Sequence, residues 1–248
     1  MARTIGIGIQ AFDDIRKNDY FYIDKTHFIK EWWESGDSVT LITRPRRFGK
    51  TLAMSMIEQF FSLEYYQRED LFQNLRIWRE EKYRRLQGTV PVIFLSFAKV
   101  KETSFINTRK RICRIIKSLY NHYDFLLESD VLNEDEKMTF REISVDMEDD
   151  LAADSLNILS DYLMRYYGKK VMILLDEYDT PMQEAYVNGY WGELMPFISN
   201  LFNASFKTNP FLEKALMTGI TRVSRESIFS DLNNLTIVTT TSELYADS

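Results

Sequence analysis

An apolar run, Val39-Thr40-Leu41-Ile42, leads through Thr43-Arg44-Pro45-Arg46-Arg47-Phe48-Gly49-Lys50-Thr51 into Leu52-Ala53-Met54-Ser55-Met56-Ile57, whose apolar spacing suits a helix. A strand, a tight turn ending Gly-Lys-Thr and a helix make a phosphate-binding loop. Few features constrain a fold as much. The loop amides and the first amides of the helix must converge on one point at the end of a sheet strand. Lys50 is placed to reach β- and γ-phosphates, and the Thr51 hydroxyl to ligate Mg²⁺. The pattern G-x-x-x-x-G-K-[ST] asks for glycine at position 44, where this chain has Arg44. The residue before proline is pushed towards extended geometry, so Arg44 is expected to prolong the strand, leaving Gly49 to make the close backbone approach. Gly-Lys-Thr alone is common, and its context has to decide.

With 248 residues, the chain has room for one α/β domain or two small ones, and with 45% apolar and 14% aromatic residues it can bury a substantial core. No apolar run approaches the roughly 18 residues of a membrane span. The start, Met-Ala-Arg-Thr-Ile-Gly, lacks the apolar region of a signal peptide. A single Cys113 excludes an internal disulfide, and His27 and His122 are too few for an expected zinc site. These features fit a cytoplasmic protein. The net charge of −6 argues against broad non-specific nucleic-acid binding, although Arg44, Arg46 and Arg47 form a local basic patch.

Before the loop, residues 1–36 read as an extended and helical segment. Tyr20-Phe21-Tyr22-Ile23 suggests a short extended piece, with Asp24 or Thr26 capping a helix over Phe28–Glu34 and Gly36 ending it. This motif reads equally as an aromatic clamp with a helix cap or as a nucleotide contact. After a helix over 51–62, residues 63–90 are dense in charge with interleaved apolar residues, as on helices with a solvated face. Val92-Ile93-Phe94-Leu95-Ser96-Phe97 reads as a buried parallel strand. Ile112, Ile115, Ile116, Leu119 and Tyr123 keep helical spacing; Cys113 beside them reads as packing, and His122 as structural. Residues 124–153 turn acidic and are expected to form an exposed helix-loop insertion. Asp154 or Ser155 is expected to cap a helix closed by Gly168.

A second anchor follows in Val171-Met172-Ile173-Leu174-Leu175-Asp176-Glu177-Tyr178-Asp179. Five apolar residues ending in paired acids describe a buried strand with carboxylates at its carboxyl end, where open α/β sheets bind ligands. Asp176 is placed to hold Mg²⁺, directly or through water, and Glu177 to act as the base that orients and polarises the attacking water. Neighbouring residues on a strand face opposite ways, so the two acids divide the work. Further on, Pro196 should kink or restart a helix around Trp191–Phe206. Leu212 to Thr218 reads as a strand with Thr218 at its carboxyl end, able to sense a γ-phosphate or hold the water. Arg222 follows within reach, as a nucleotide contact or a salt bridge within its loop, and Leu235 to Thr239 reads as a last strand.

Taken together, Tyr22-Ile23-Asp24-Lys25-Thr26, the loop from Leu41 to Thr51, Leu174-Leu175-Asp176-Glu177-Tyr178-Asp179, Thr218-Gly219-Ile220-Thr221-Arg222-Val223 and the stretch from Glu226 to Leu235 resemble one family. It is the predicted AAA-ATPase-like family of bacterial and archaeal proteins, often found with a C-terminal PD-(D/E)XK nuclease-like domain. In it, Arg-Pro-Arg-Arg-Phe-Gly-Lys-Thr is the ordinary form of the loop. The resemblance implies a three-layer α/β/α phosphate-loop domain with a mainly parallel sheet in the order 5-1-4-3-2 and helical insertions. It also implies ATP rather than GTP as the nucleotide, since no Asn-Lys-x-Asp guanine signature occurs.

The reading that results is one phosphate-loop domain over 1–248, expected to be the N-terminal part of a longer protein, that binds and hydrolyses ATP with Mg²⁺ and couples this to a conformational change. Arg46, Arg47, Phe48, Gly49, Lys50, Thr51 and Leu52 are the expected nucleotide contacts, Thr51 and Asp176 the metal ligands, and Glu177, Lys50, Thr218 and Arg222 the catalytic groups. The expected partners are the nucleotide, further copies of the chain or a fused nuclease-like domain; nucleic acid is left open and a membrane is not expected. Three alternatives stand beside it: a slow nucleotide-dependent switch, an ATPase regulating a nuclease-like domain in defence or mobile-element biology, and a small-molecule kinase. The adjacent Asp-Glu pair favours water activation and places the kinase last.

Overall fold

The computed structural model describes residues 4–45, 47–220 and 235–239. In chain order its elements are α1 (Phe12–Lys17), α2 (His27–Glu34), β1 (Val39–Thr43), α3 (Lys50–Phe61), α4 (Glu81–Arg84), β2 (Val92–Ser96), α5 (Phe105–His122), α6 (Glu134–Glu142), α7 (Asp149–Tyr167), β3 (Val171–Asp176), α8 (Thr180–Asn188), α9 (Trp191–Phe202), β4 (Leu212–Gly219) and β5 (Leu235–Thr239), with short 3₁₀ turns between them. The five strands form one parallel sheet in the order β2-β3-β4-β1-β5. Read from the other edge, this is the expected 5-1-4-3-2.

Strand alternation builds the layers. On β3, Ile173 and Leu175 enter one core with Ile112 of α5, Leu159 of α7 and Ile198 of α9. Met172 and Leu174 enter a second core on the other face, with Trp32 of α2 and Ile57 and Phe60 of α3. All six residues of β3 are buried, which explains why its sequence is a continuous apolar run.

Several local expectations are corrected. Thr26 occupies the position before α2, but its hydroxyl does not cap the helix. It donates to Asp24 Oδ1 (2.6 Å) and accepts from the Ile77 N–H (3.2 Å), while Asp24 Oδ2 accepts from the Arg76 N–H (2.7 Å). These residues therefore join the start of α2 to a segment about fifty residues away, and α2 runs to Glu34 as expected, with Ser35 rather than Gly36 in the capping position. Residues 124–153 are not a purely solvated excursion. Their acids face outward, but Leu126, Leu132, Phe140, Ile143 and Met147 enter the main core, and α6 is fixed by a capping box of Asn133 and Glu136. α7 starts at Asp149, one and a half turns before the expected cap, and Ser155 is buried within it with its hydroxyl on Ala152 O (2.7 Å). Gly168, at φ +67°, closes α7 as expected. Pro196 sits inside α9 without restarting it, and the helix widens only at Asn203–Lys207, in π form.

Candidate functional site

At the carboxyl edge of the sheet, β1 runs one bond past its formal end. The Arg44 N–H donates to Gly219 O of β4 at 3.2 Å, so Arg44 does extend the strand pairing. The chain then turns through Arg47 at φ +70° and Gly49 at φ +76° into α3. A Cβ on Gly49 would meet no atom within 4 Å, so glycine is required here by the left-handed backbone rather than by crowding. The first helical bond runs from the Ala53 N–H to Gly49 O, so the amides of the opening turn lie at the positive end of the helix beside the loop. Lys50 is 8% exposed, and its ammonium donates to Arg44 O (2.8 Å) and Pro45 O (3.0 Å). These carbonyls fix the charge inside the curve of the loop.

The acid strand meets this loop directly. The Thr51 hydroxyl donates to Asp176 Oδ2 at 3.0 Å across 125 positions of sequence, and the Thr218 hydroxyl of β4 donates to Asp176 Oδ1. Asp176 is 1% exposed, so these bonds offset the cost of burying its carboxylate. The Glu177 N–H donates to the Thr218 oxygen (3.3 Å), and the Tyr178 N–H to the Thr218 carbonyl (3.0 Å). Thr218 thus joins β4 to both acids. Glu177 lies beyond the end of β3 at φ +51°, and its Oε2 accepts from the Thr180 hydroxyl at the start of α8 (3.3 Å). Its direction is set by a left-handed turn, not by the strand alternation expected from the sequence.

A cavity of about 720 Å³ opens over this edge. Gly49, Lys50, Thr51 and Leu52 line it from the loop and helix start, together with Arg47 and Glu177, and residues 7–10 supply a further wall. This strap is held by its two ends. The Phe21 N–H donates to Thr4 O (2.8 Å), and the Phe12 N–H to the buried Ser55 Oγ of α3 (3.0 Å). The volume lies in the range of small-molecule sites.

A family model described as "Predicted AAA-ATPase" matches residues 6–229. The chain belongs to this predicted AAA-ATPase family. Among curated proteins it is 27% identical over 235 residues to an uncharacterized protein in the vnfD 5' region of Azotobacter chroococcum mcd 1, covering 94% of this chain. The chain spans only 40% of that relative's length. No solved structure gives a significant match.

In this member of the predicted AAA-ATPase family, Gly49, Lys50, Thr51, Leu52, Arg47 and Glu177 share one cavity, with Asp176 and Thr218 bonded beside it. Phe48 is 54% exposed and borders a small cavity under the loop, together with Arg44, Lys50 and Lys25 of the Tyr22–Thr26 motif. Arg46 and Arg222 lie outside the described residues, as does the stretch from Glu226 to Asn234. One group of residues that lines the cavity was not singled out from sequence. It is the strap at 7–10, whose only signal is Gly6 and Gly8 among isoleucines. Asp179, which the sequence offers as the first substitute for Glu177, is instead fully buried: its Oδ2 accepts from the Ile220 N–H (3.0 Å) and from Gln183 Nε2 (2.8 Å) and so fixes the chain leaving β4. Both metal-ligand candidates are hard oxygen donors in direct contact. That suits Mg²⁺, which uses one or two protein oxygens and completes its shell with phosphate and water.

Proposed function

We propose that the chain binds Mg·ATP and hydrolyses it to ADP and phosphate. The observation that carries this reading is the contact of the Thr51 hydroxyl with Asp176, beside a Lys50 held by two loop carbonyls. It unites the two halves of a phosphoryl-transfer site from distant parts of the sequence. In this reading the loop and α3 amides bind the β-phosphate, and Lys50 lies against the β- and γ-oxygens. Thr51 and Asp176 hold Mg²⁺, which when bound neutralises charge on those oxygens. Glu177 accepts a proton from the water aligned on the γ-phosphorus, and Thr218 fixes the distance between Asp176 and Glu177. The strap at 7–10 encloses the base; the choice of adenine rests on the family.

Lys50→Ala tests the reading by calorimetry with Mg·ATP. The loss of hydrogen bonds between charged groups, about 1.5–3 kcal/mol, predicts binding roughly 10–150-fold weaker. Unchanged affinity in a folded variant would refute a phosphate site here. A second reading, a slow nucleotide-dependent switch, is favoured by one observation: the Glu177 carboxylate is engaged by Thr180. Single-turnover kinetics separates the two. The conformational change driven by the cycle, its transmission to further copies or to a nuclease-like domain, and any nucleic-acid dependence belong to the proposal and are tested by the same turnover assay with those additions.

A further inference from the structure

Among the described residues β2 is an edge strand, paired only with β3. The Met172 N–H donates to Pro91 O and the Phe97 N–H to Asp176 O, both at 2.9 Å. Residues 91, 93, 95 and 97 therefore face β3, and the main-chain groups of 92, 94 and 96 face the opposite side. At its amino end this outer side is closed. The Leu63 N–H donates to Val90 O (3.0 Å) and the Tyr123 hydroxyl to Val92 O (2.8 Å). Beyond that point, no group among the described residues bonds the Phe94 N–H, the Phe94 carbonyl or the Ser96 N–H.

These groups border a groove of about 400 Å³ whose two walls differ in chemistry. Ile115 and Leu119 of α5 make the wall on one face of the sheet; Glu58 of α3 and Glu64 lie on the other. Burial, reinforced by the charges of Glu64 and Asp13, pushes the Glu58 carboxyl up to about 7. No lysine or arginine among the described residues forms an ion pair with it, while Glu64 is engaged by His122 Nε2 at 2.6 Å. The groove thus offers strand hydrogen bonds, an apolar wall and a desolvated carboxylate.

We propose that this groove binds an extended basic segment of a partner protein, which adds as a strand along Phe94–Ser96 and places a lysine or arginine against Glu58 and Glu64. Side chains of an added strand alternate between the two faces, so apolar residues meet Ile115 and Leu119 and basic residues meet the carboxylates. A second copy of this chain is the poorer occupant. Edge-to-edge pairing about a two-fold axis would bring the Glu58 and Glu64 of both copies together, in a protein already at net charge −6. Ser96 is in register with Asp176, so the docked strand ends with only β2 between it and the acid strand of the cavity above.

The test uses the ¹⁵N-labelled chain and two capped pentapeptides, one alternating valine with lysine and one alternating valine with glutamate. Expected is saturable binding of the lysine peptide, with amide exchange at Phe94 and Ser96 slowed at least tenfold. Glu58→Gln with Glu64→Gln should weaken that binding at least tenfold. N-methylating the peptide on its strand-pairing edge should abolish it without any change to the protein. Unchanged exchange at both amides under millimolar lysine peptide, or equal binding of the two peptides, overturns the proposal. Protection of the same amides that rises with protein concentration alone also overturns it, because a second copy would then be the occupant.

Discussion

Replacing Thr218 by valine removes one hydroxyl and little volume at the point where β4 meets both acids. Thr218 is 2% exposed, and its hydroxyl donates to the Asp176 carboxylate and accepts from the Glu177 N–H at 3.3 Å. A bond to a charged group contributes about 1.5–3 kcal/mol, and a long neutral bond about 0.5–1 kcal/mol. Asp176 keeps the Thr51 donor, so the expected loss of stability is about 2–4 kcal/mol, read as a lower urea midpoint at unchanged slope. Thr218→Ser retains both bonds and should recover at least half of the loss. Turnover of Mg·ATP should fall with valine and return with serine, since Asp176 and Glu177 are aligned through that oxygen. A valine variant within about 0.5 kcal/mol of the parent protein would show that the Thr218 bonds do not hold this edge together.

Two further outcomes are expected. Glu177→Gln should bind Mg·ATP within about threefold of the parent yet lose a factor of about 10²–10⁴ in turnover, the usual contribution of a general base; rapid-quench kinetics measures both, and parent-like turnover would place the base elsewhere. Glu58, raised from 4.5 to about 7, binds a proton more tightly in the folded chain than in the unfolded one. Stability should therefore be highest with respect to this group below about 4.5, decline as pH rises towards 7 and stay lower above, by at most about 3 kcal/mol. Glu58→Gln should flatten this part of the profile, and parallel urea-unfolding profiles of the two proteins across pH 5–8 would show that Glu58 is not the group concerned.

The two anchors of the site were legible because each is a local pattern with a topological consequence. Gly49-Lys50-Thr51 after a buried strand fixes a loop, and Leu175-Asp176 at the end of another fixes where the carboxylate emerges. Thr218 was legible as the end of an apolar run. What escaped depends on contacts between distant residues. The strap at 7–10 has no period, and its position follows from the bond of the Phe12 N–H to Ser55 and from the burial of Phe12 among Tyr22 and Phe72. Asp24 and Thr26 looked like helix caps because those residue types prefer that role, but the amides of Arg76 and Ile77 compete for the same oxygens. α7 begins early because Ala152 and Leu156 find a core that their acidic neighbours conceal in the sequence.

The order of the strands explains why so much converges on β4, which lies between the loop strand and the acid strand. With β1 on one side and β3 on the other, the end of β4 is, among the described strands, the main chain that both halves of the site touch. The contacts follow from that placement. Gly219 O accepts from the Arg44 N–H of the loop, Thr218 O from the Tyr178 N–H, and the Ile220 N–H donates to Asp179. Gly219 must be a glycine there for steric reasons. A Cβ would lie 2.5 Å from the ring of the fully buried Tyr178 and 2.9 Å from Asp179 Oδ1, so a side chain would push the loop strand and the acid strand apart. Thr51 and Asp176 meet at 3.0 Å only while that spacing holds. The separation of the two halves of the site is thus set by the width of one inserted strand, and Thr218-Gly219 is where the sequence adjusts that width.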